Sequence, residues 1–267
     1  MAGALSSLSE LMRENLPKID ILLNLSSQPT KAPRMQIPLN LMEPPRPHLA
    51  DGVIGKNAAA LSALAALIEG PSPGFASLFL WGAPGSGKTF WLKAWAEDHP
   101  ESAIYVDLKA PEPSQQALDP LSRVLAQYQS GPPQACLLLD HLDAAHAATA
   151  GQLFQLYNAA REVGGRIVCA AACAPLHLQL RDDLRTRLGQ SLIFELQELS
   201  DQEKRTALQE RAMRLGLPLA DELIGYLLTR LPRDLGRLMQ VVDGLNELAL
   251  SRQRPATLPL LKELLDS

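Results

Sequence analysis

Residues 82–89 read Gly-Ala-Pro-Gly-Ser-Gly-Lys-Thr, which matches the phosphate-loop pattern G-x-x-x-x-G-K-[ST] in full. Glycines let backbone N–H groups turn inward around phosphate oxygens, and the helix expected to follow aims its positive end at the same anion. Lys88 should reach the β- and γ-phosphates of a nucleotide, and the Thr89 hydroxyl should ligate Mg²⁺. We therefore predict a nucleotide-binding loop formed by Gly82, Gly85, Ser86, Gly87, Lys88 and Thr89.

Five apolar runs of strand length predict a sheet around this loop. One run enters the loop and four follow it, at 77–81, 103–108, 135–139, 166–171 and 191–196. Helical patterns accompany them, including those at 58–69, 119–129 and 152–163. Apolar strands that alternate with helices are typical of a parallel sheet covered on both faces. The predicted fold class is α/β, with a five-stranded parallel sheet that carries the phosphate loop.

The sequence divides into four segments: 1–34, 35–50, 51–197 and 198–267. The second segment is rich in proline and predicts a flexible tail. The third holds the α/β pattern. The fourth opens with Ser200 and Glu203 in the spacing of a helix capping box, and helical patterns then run to 215 and over 221–230, 233–251 and 257–265. The last segment therefore predicts a C-terminal helical lid.

The composition is that of an ordinary globular protein. The 267 residues are 46% hydrophobic and 20% charged, with a net charge of −4. A free-standing DNA-binding protein normally has a basic face, so we expect any DNA contact to be indirect. Cys136 and Cys169 fall within apolar runs and should be reduced core thiols. No apolar stretch has the roughly 18 residues of a membrane span, and no signal peptide is evident, which predicts a cytoplasmic protein.

A carboxylate ends the third apolar run. Asp140 is placed to hold Mg²⁺ through water beside the phosphate loop. In ATPases that hydrolyse ATP by themselves, a second carboxylate commonly follows directly, whereas this chain has His141 there. A neutral imidazole is a poor copy of a fixed carboxylate, so we expect weak or no intrinsic hydrolysis. The alternative is that Asp143, two residues further on, supplies the carboxylate.

Several motifs in this order resemble an AAA+ module (ATPases associated with various cellular activities), in its DnaA branch. Within that branch the chain resembles the Hda family of regulatory inactivators of DnaA, over roughly residues 36–265. The stretches that carry the resemblance are LFLWGAPGSGKT (78–89), LLLDHLD (137–143), FQLYNAAREVGGRIVCAA (154–171), DLRTRL (183–188) and LPRDLGRLMQVVDGL (231–245). The last three are the more specific to this branch.

The resemblance assigns roles outside the loop. It implies that Arg187 is an arginine finger, which reaches into a neighbour's nucleotide and stabilises charge on the γ-phosphate. It implies that Arg233 contacts the chain's own bound phosphates and that residues 55–57 lie near the adenine. The polar residue expected after the fourth strand is replaced, and Ala172 is the residue we assign to that position. With His141, this loss indicates a chain that holds ADP or ATP with Mg²⁺ and donates Arg187 in trans.

A peptide in the proline-rich tail resembles the segment by which this family and other replication proteins bind the sliding clamp of DNA polymerase III. Residues 36–41 read Gln-Ile-Pro-Leu-Asn-Leu. A glutamine can hydrogen-bond at the rim of a pocket while apolar side chains insert into it. The clamp-binding residues that this resemblance implies are Gln36, Ile37, Leu39 and Leu41.

The position of this peptide bears on where translation starts. The peptide normally lies at the extreme N-terminus in this family, whereas here it follows Met35. We expect translation to begin at Met35, or residues 1–34 to be an extension of this lineage. The intact mass of the natively expressed protein would distinguish these two.

The hypothesis that follows is a regulatory adaptor that stimulates ATP hydrolysis by DnaA while bound to the DNA-loaded clamp. Its expected partners are DnaA, the beta subunit of the clamp, and DNA through the clamp, with no membrane. It would act in the cytoplasm near the nucleoid or replisome, and the sequence leaves open homodimers that hide Arg187. The alternatives are a replication initiator or helicase-loader relative that acts on its own ATP, and a small-molecule kinase. An initiator would be expected to carry a basic recognition helix after the lid.

Overall fold

The computed structural model describes residues 46–70, 74–109, 123–124, 126, 135–145, 147–232 and 234–266. Five strands form one sheet: β1 (Ala76–Trp81), β2 (Ala103–Asp107), β3 (Cys136–Asp140), β4 (Arg166–Ala171) and β5 (Leu192–Glu195). They pair in parallel in the spatial order β2-β3-β4-β1-β5. The predicted parallel sheet is confirmed, and each strand lies within one residue of its predicted bounds.

Helices cover both faces of this sheet, as the apolar strands require. They are α1 (Ala58–Glu69), α2 (Lys88–Asp98), α3 (Ala147–Glu162) and α4 (Asp182–Leu188). One buried cluster joins α1 and α2 to the sheet, and a second joins α3 and α4 to the opposite face. Phe79 and Leu80 in β1 are fully buried and belong to different clusters, because successive strand residues point to opposite faces.

Among the residues that the structure describes, four helices follow the sheet in sequence: α5 (Asp201–Arg214), α6 (Asp221–Arg230), α7 (Leu235–Arg252) and α8 (Leu258–Asp266). Helix α5 packs against α6 and α7, and α8 packs against α7. The capping box is present: Ser200 Oγ accepts a hydrogen bond from the backbone N–H of Glu203, whose carboxylate accepts one from Ser200 N–H. The predicted C-terminal helical lid is therefore observed.

Residues 46–57 run along the surface as a segment that we call the strap. Arg46 pairs with Glu97 at 3.2 Å, and His48 Nδ1 lies 2.6 Å from Asp98 Oδ1, so the strap is held at the end of α2. Five residues of the predicted flexible tail, 46–50, therefore lie against the α/β unit. None of the helices in the described ranges combines the length and the hydropathy that a bilayer crossing requires.

Candidate nucleotide site

The phosphate loop connects β1 to α2 and has a backbone that only small residues permit. A Cβ atom on Gly82 would lie 2.3 Å from the carbonyl oxygen of Leu196. Gly87 caps α2 with a φ of 93°, a left-handed conformation that favours glycine. The loop therefore turns tightly at the N-terminus of α2, where backbone N–H groups and the helix dipole attract an anion.

Lys88 is the cation of this loop. Its Nζ donates hydrogen bonds to the carbonyl oxygens of Gly82 and Ala83 at 2.7 and 3.0 Å, and to Ser86 Oγ at 3.2 Å. Burial lowers the pKa of the Lys88 ammonium, and three nearby carboxylates oppose that shift: those of Asp140, Asp143 and Glu198. Asp140 ends β3, Asp143 follows it and Glu198 follows β5, so the ends of two strands bring negative charge near this ammonium.

Asp140 ends β3 with its side chain almost fully buried. Its Oδ2 accepts a hydrogen bond from the Tyr105 hydroxyl at 3.1 Å, and its Oδ1 accepts one from the backbone N–H of His141 at 2.9 Å. Burial raises the pKa of Tyr105, and the charge of Asp140 raises it further, so the phenol stays a hydrogen-bond donor. Both oxygens of the carboxylate are thus held in place beside the phosphate loop.

The two polar residues after Asp140 point toward different strands. His141 Nδ1 lies 2.7 Å from Asp107 Oδ1, at the end of β2. Asp143 Oδ1 accepts a hydrogen bond from the backbone N–H of Ala172 at 2.9 Å, just after β4. Because β4 lies between β3 and β1, Asp143 reaches toward the phosphate loop, whereas His141 reaches away from it.

Residues 55–57 were expected near an adenine. The side chain of Asn57 is buried and exchanges two hydrogen bonds with the backbone of Gln197, at 2.8 and 3.0 Å. Gly55 has a φ of 52° and lies against Leu199 and Glu203, so these residues sit where the sheet meets the first lid helix. The adenine contact itself stays a prediction.

Arg187 lies on α4, at a surface groove of about 570 Å³ that is also lined by Asn158, Arg161 and Glu162 of α3. Its guanidinium stands over the ring of Phe154, 4.8 Å from the ring centroid. Two other arginines of this region, Arg181 and Arg185, pair with aspartates of α4, whereas Arg187 has no ion pair among the described residues.

Tyr157 holds the backbone beneath Arg187. Its hydroxyl donates a hydrogen bond to the carbonyl oxygen of Arg187 at 3.1 Å and lies 3.1 Å from Ser77 Oγ in β1. Helix α4 is therefore tied to the sheet through one buried tyrosine. The Arg187 side chain thus projects from a fixed backbone.

The residues of the loop fit the ADP or ATP and the Mg²⁺ that the sequence implies. The tight glycine backbone leaves room for phosphate oxygens, and Lys88 supplies the positive charge. Thr89 and Asp140 carry oxygen donors of the kind that Mg²⁺ prefers, and their roles as its ligands, the second through water, stay predictions. The predicted residues 82–89 and Asp140 are thus brought together, with Arg187 placed on α4. Arg233 and the clamp-binding residues Gln36, Ile37, Leu39 and Leu41 lie outside the described residues.

Five residues described at the site were not found by sequence reasoning: Tyr105, Asp107, Phe154, Tyr157 and Glu198. Tyr105 and Asp107 belong to β2, and the register of β2 against β3 brings them beside Asp140. Their polar side chains near the end of an apolar strand were the available signal. Phe154 gave none, because an aromatic residue in a helix is typical of a core position.

Family models match two parts of the chain. The model for the lid domain of Hda matches residues 201–265, and the model for the ATPase family associated with various cellular activities matches residues 78–196. An uncharacterized protein of Haemophilus influenzae is 32% identical over 196 residues, which cover 70% of this chain and 80% of that relative.

Solved structures share the fold. Domain III of the Thermotoga maritima replication initiation protein DnaA has a TM-score of 0.63 at 19% identity, over 84% of this chain and 98% of that one. The replication initiator DnaA bound to AMPPCP and single-stranded DNA has a TM-score of 0.58 at 21% identity, over 78% of this chain and 68% of that one. These matches agree with the predicted AAA+ module and helical lid. Proteins of the AAA+ family in general bind nucleotide with Mg²⁺. The chain belongs to the Hda-like group of AAA+ proteins in the DnaA branch.

Proposed function

We propose that this chain is a regulatory adaptor for DnaA. Family membership supports a DnaA-related regulator or AAA+ ATPase. The finer proposal is that the chain, bound to the DNA-loaded sliding clamp, stimulates hydrolysis of the ATP held by DnaA and so prevents re-initiation of replication. Its own loop holds ADP or ATP, and the catalytic contribution is made to the partner.

The observation that supports this proposal is the environment of the Arg187 side chain. Its guanidinium is part-exposed, rests on an aromatic ring and lines a groove whose other residues all come from α3. An arginine without a carboxylate partner keeps its charge available to an incoming anion. In a neighbour's site, such a group stabilises the charge that develops on the γ-phosphate, which is worth orders of magnitude in rate in other ATPases and GTPases.

Attachment to the clamp is proposed for residues 36–41. The peptide ends five positions before Arg46, where the strap is held against α2. A short connection of this kind keeps the adaptor close to the clamp and raises its effective concentration there. DnaA would then meet the adaptor on DNA that has been replicated.

The test is ATP hydrolysis by DnaA, measured with and without this protein and a DNA-loaded clamp. We expect Arg187→Ala to reduce the stimulation at least tenfold while clamp binding is kept. Arg185→Ala, on the same helix, removes an arginine that is paired with Asp182 and should retain the stimulation. Full stimulation by Arg187→Ala would contradict the proposal.

A second arm of this experiment tests the tail. Changing Gln36 and Leu39 to Ala should abolish clamp binding in a pull-down on immobilised clamp, and with it the dependence of the stimulation on the clamp. The Arg187→Ala protein is the matched control, since it should still bind. Retained clamp binding by the double variant would remove residues 36–41 from the proposal.

The alternative function is an initiator-like or helicase-loader-like ATPase that acts on its own ATP. It is favoured by the likeness to DnaA, which was solved bound to AMPPCP and single-stranded DNA. A reaction with this protein alone, with and without single-stranded DNA, decides between them. Rapid turnover that DNA stimulates would support the alternative.

A further inference from the structure

Asp143 has one carboxylate oxygen fixed and one free among the described residues. Oδ1 is held by the backbone N–H of Ala172, and no hydrogen bond to Oδ2 occurs within the described ranges. Asp143 is exposed, so Oδ2 is open to water. A short three-residue turn of helix, Leu142–Ala144, holds the residue in this orientation. The carboxylate therefore has a defined position and a free acceptor.

The strand order places the Asp143 carboxylate at the edge of the sheet that carries the phosphate loop. The phosphate loop follows β1, Ala172 follows the adjacent β4, and Asp140 ends β3. Asp143 spans from the end of β3 to the end of β4, and its charge acts on the Lys88 ammonium. It stands on the β4 side of Asp140, whose two oxygens each accept one hydrogen bond, from Tyr105 and from the backbone of His141.

We propose that Asp143 orients and deprotonates water for slow hydrolysis of the nucleoside triphosphate held in this chain's own loop. Asp143 Oδ2 accepts a proton from a water molecule while the water oxygen bonds to the γ-phosphorus. The bond from that phosphorus to the bridging oxygen breaks, and the nucleoside diphosphate leaves with its electron pair. Asp143 then releases the proton to solvent, so the products are nucleoside diphosphate, phosphate and one proton.

His141, the residue directly after Asp140, is turned away from the loop: its Nδ1 lies 2.7 Å from Asp107 Oδ1 and 3.7 Å from Asp140 Oδ2. Its imidazole bonds to Asp107 at the end of β2, one strand further from the loop than Asp140 itself. Its backbone has a φ of 56°, which turns the chain and lets Asp143 take up the position toward β4. The left-handed residue thus redirects the following carboxylate toward the nucleotide.

The inference rests on nucleotide binding at this site and not on DnaA. The experiment loads the full chain with ATP and Mg²⁺ and follows phosphate release in a single turnover, with chromatography of the nucleotide that the protein retains. We expect Asp143→Asn to slow release at least tenfold and to retain ATP, while the unaltered protein comes to hold ADP. In calorimetry, the Asp143→Asn variant and the unaltered protein should bind AMPPCP with affinities that differ by less than threefold.

Matched variants separate the role of the carboxylate from folding. Glu101→Gln makes the same kind of change at an exposed site outside the loop and should leave the rate unchanged. Asp143→Glu keeps a carboxylate and should retain a measurable rate. His141→Asn tests the competing residue and keeps a residue type that tolerates a positive φ.

Four outcomes would overturn the inference: no phosphate release by the unaltered protein, an unchanged rate in Asp143→Asn, a tenfold loss of AMPPCP affinity in that variant, or an equal fall in His141→Asn. A protein that stimulates DnaA through Arg187 while its own ATP stays intact would overturn this inference and leave the proposed adaptor function standing.

Discussion

Single residues of the phosphate loop are constrained by how closely the backbone segments approach. Gly82 lies against the carbonyl oxygen of Leu196, which follows β5, and the space for a methyl group is absent. The motif predicts a glycine here because the backbone must turn its N–H groups toward phosphate oxygens. The structure adds a second reason, since the loop must also pass close to the neighbouring strand.

The prediction at this scale is that Gly82→Ala weakens nucleotide binding. A Cβ atom would lie 2.3 Å from Leu196 O and 2.9 Å from Ser86 Oγ, so the loop has to shift. We expect affinity for a fluorescent ADP analogue to fall at least tenfold, because displaced N–H groups no longer converge on the phosphates.

The control for this change is Gly151→Ala in α3, where a Cβ atom meets nothing within 4 Å. It should leave affinity unchanged and raise the free energy of unfolding by about 1 kcal/mol, the difference in helix propensity. Equal affinities of Gly82→Ala and Gly151→Ala for the ADP analogue would show that the close contact at Gly82 does not determine the conformation of the phosphate loop.

Individual elements follow local signals closely in this chain. Helices α1 and α6 have their predicted bounds, and the capping box fixes the start of α5. These features depend on residues within one turn of each other, which is why the sequence predicts them. Helix α3 begins five residues before its predicted start, because its first turns carry alanines rather than a clear apolar period.

The prediction for elements concerns the cap of α5. Ser200→Ala removes the side-chain acceptor for Glu203 N–H, and we expect the free energy of unfolding to fall by about 1 kcal/mol in urea denaturation. Hydrogen bonds from Ser200 lower the pKa of Glu203, so this support is present above the ordinary carboxyl pKa and is lost as the pH falls through the lowered one. The difference in the free energy of unfolding between Ser200→Ala and the unaltered protein should therefore become smaller at acidic pH.

Ser191→Ala makes the same chemical change without removing a cap. Ser191 Oγ is buried and has no hydrogen-bond partner among the described residues. Its removal should leave stability unchanged or improve it, since an unsatisfied hydroxyl is lost. If Ser191→Ala lowers the free energy of unfolding as much as Ser200→Ala does, the helix cap makes no specific contribution to stability.

At the scale of the whole molecule, the strap joins the α/β unit to the lid. Asp51 accepts hydrogen bonds from Arg211 at 3.4 Å and Arg214 at 3.0 Å, and Arg211 also pairs with Asp243 of α7 at 2.8 Å. The strap is held on α2 at the same time, and Gly52 lies against the ring of Trp91 in that helix. The strap thus links the helix that begins at Lys88 to α5 through Asp51, and Arg211 extends the link to α7.

For the whole molecule, we predict that Asp51→Asn weakens the attachment of the lid to the α/β unit and speeds release of bound nucleotide. These ion pairs are part-exposed and individually weak, so we expect release of a fluorescent ADP analogue to become roughly two- to fivefold faster in stopped-flow measurements. The difference should shrink at high ionic strength, which screens the pairs in the unaltered protein.

Asp182→Asn is the matched control for this change, because it breaks an aspartate–arginine pair within α4 and leaves the strap untouched. It should release the analogue at the rate of the unaltered protein. Equal release rates for Asp51→Asn and the unaltered protein would show that the strap does not hold the lid.

The sheet, the loop, the helical lid and the carboxylate at Asp140 are predictable from the sequence, because periodicity, capping and the glycine pattern act over a few neighbouring residues. The contacts of His141 and Asp143 depend instead on how the strands are ordered in the sheet. The order of the strands sends His141 toward Asp107 and Asp143 toward Ala172. Helix packing places the Arg187 guanidinium over the ring of Phe154, and Asp51 forms an ion pair with Arg211 of the lid. These contacts join residues distant in the chain, and the packing of strands and helices fixes which of them meet.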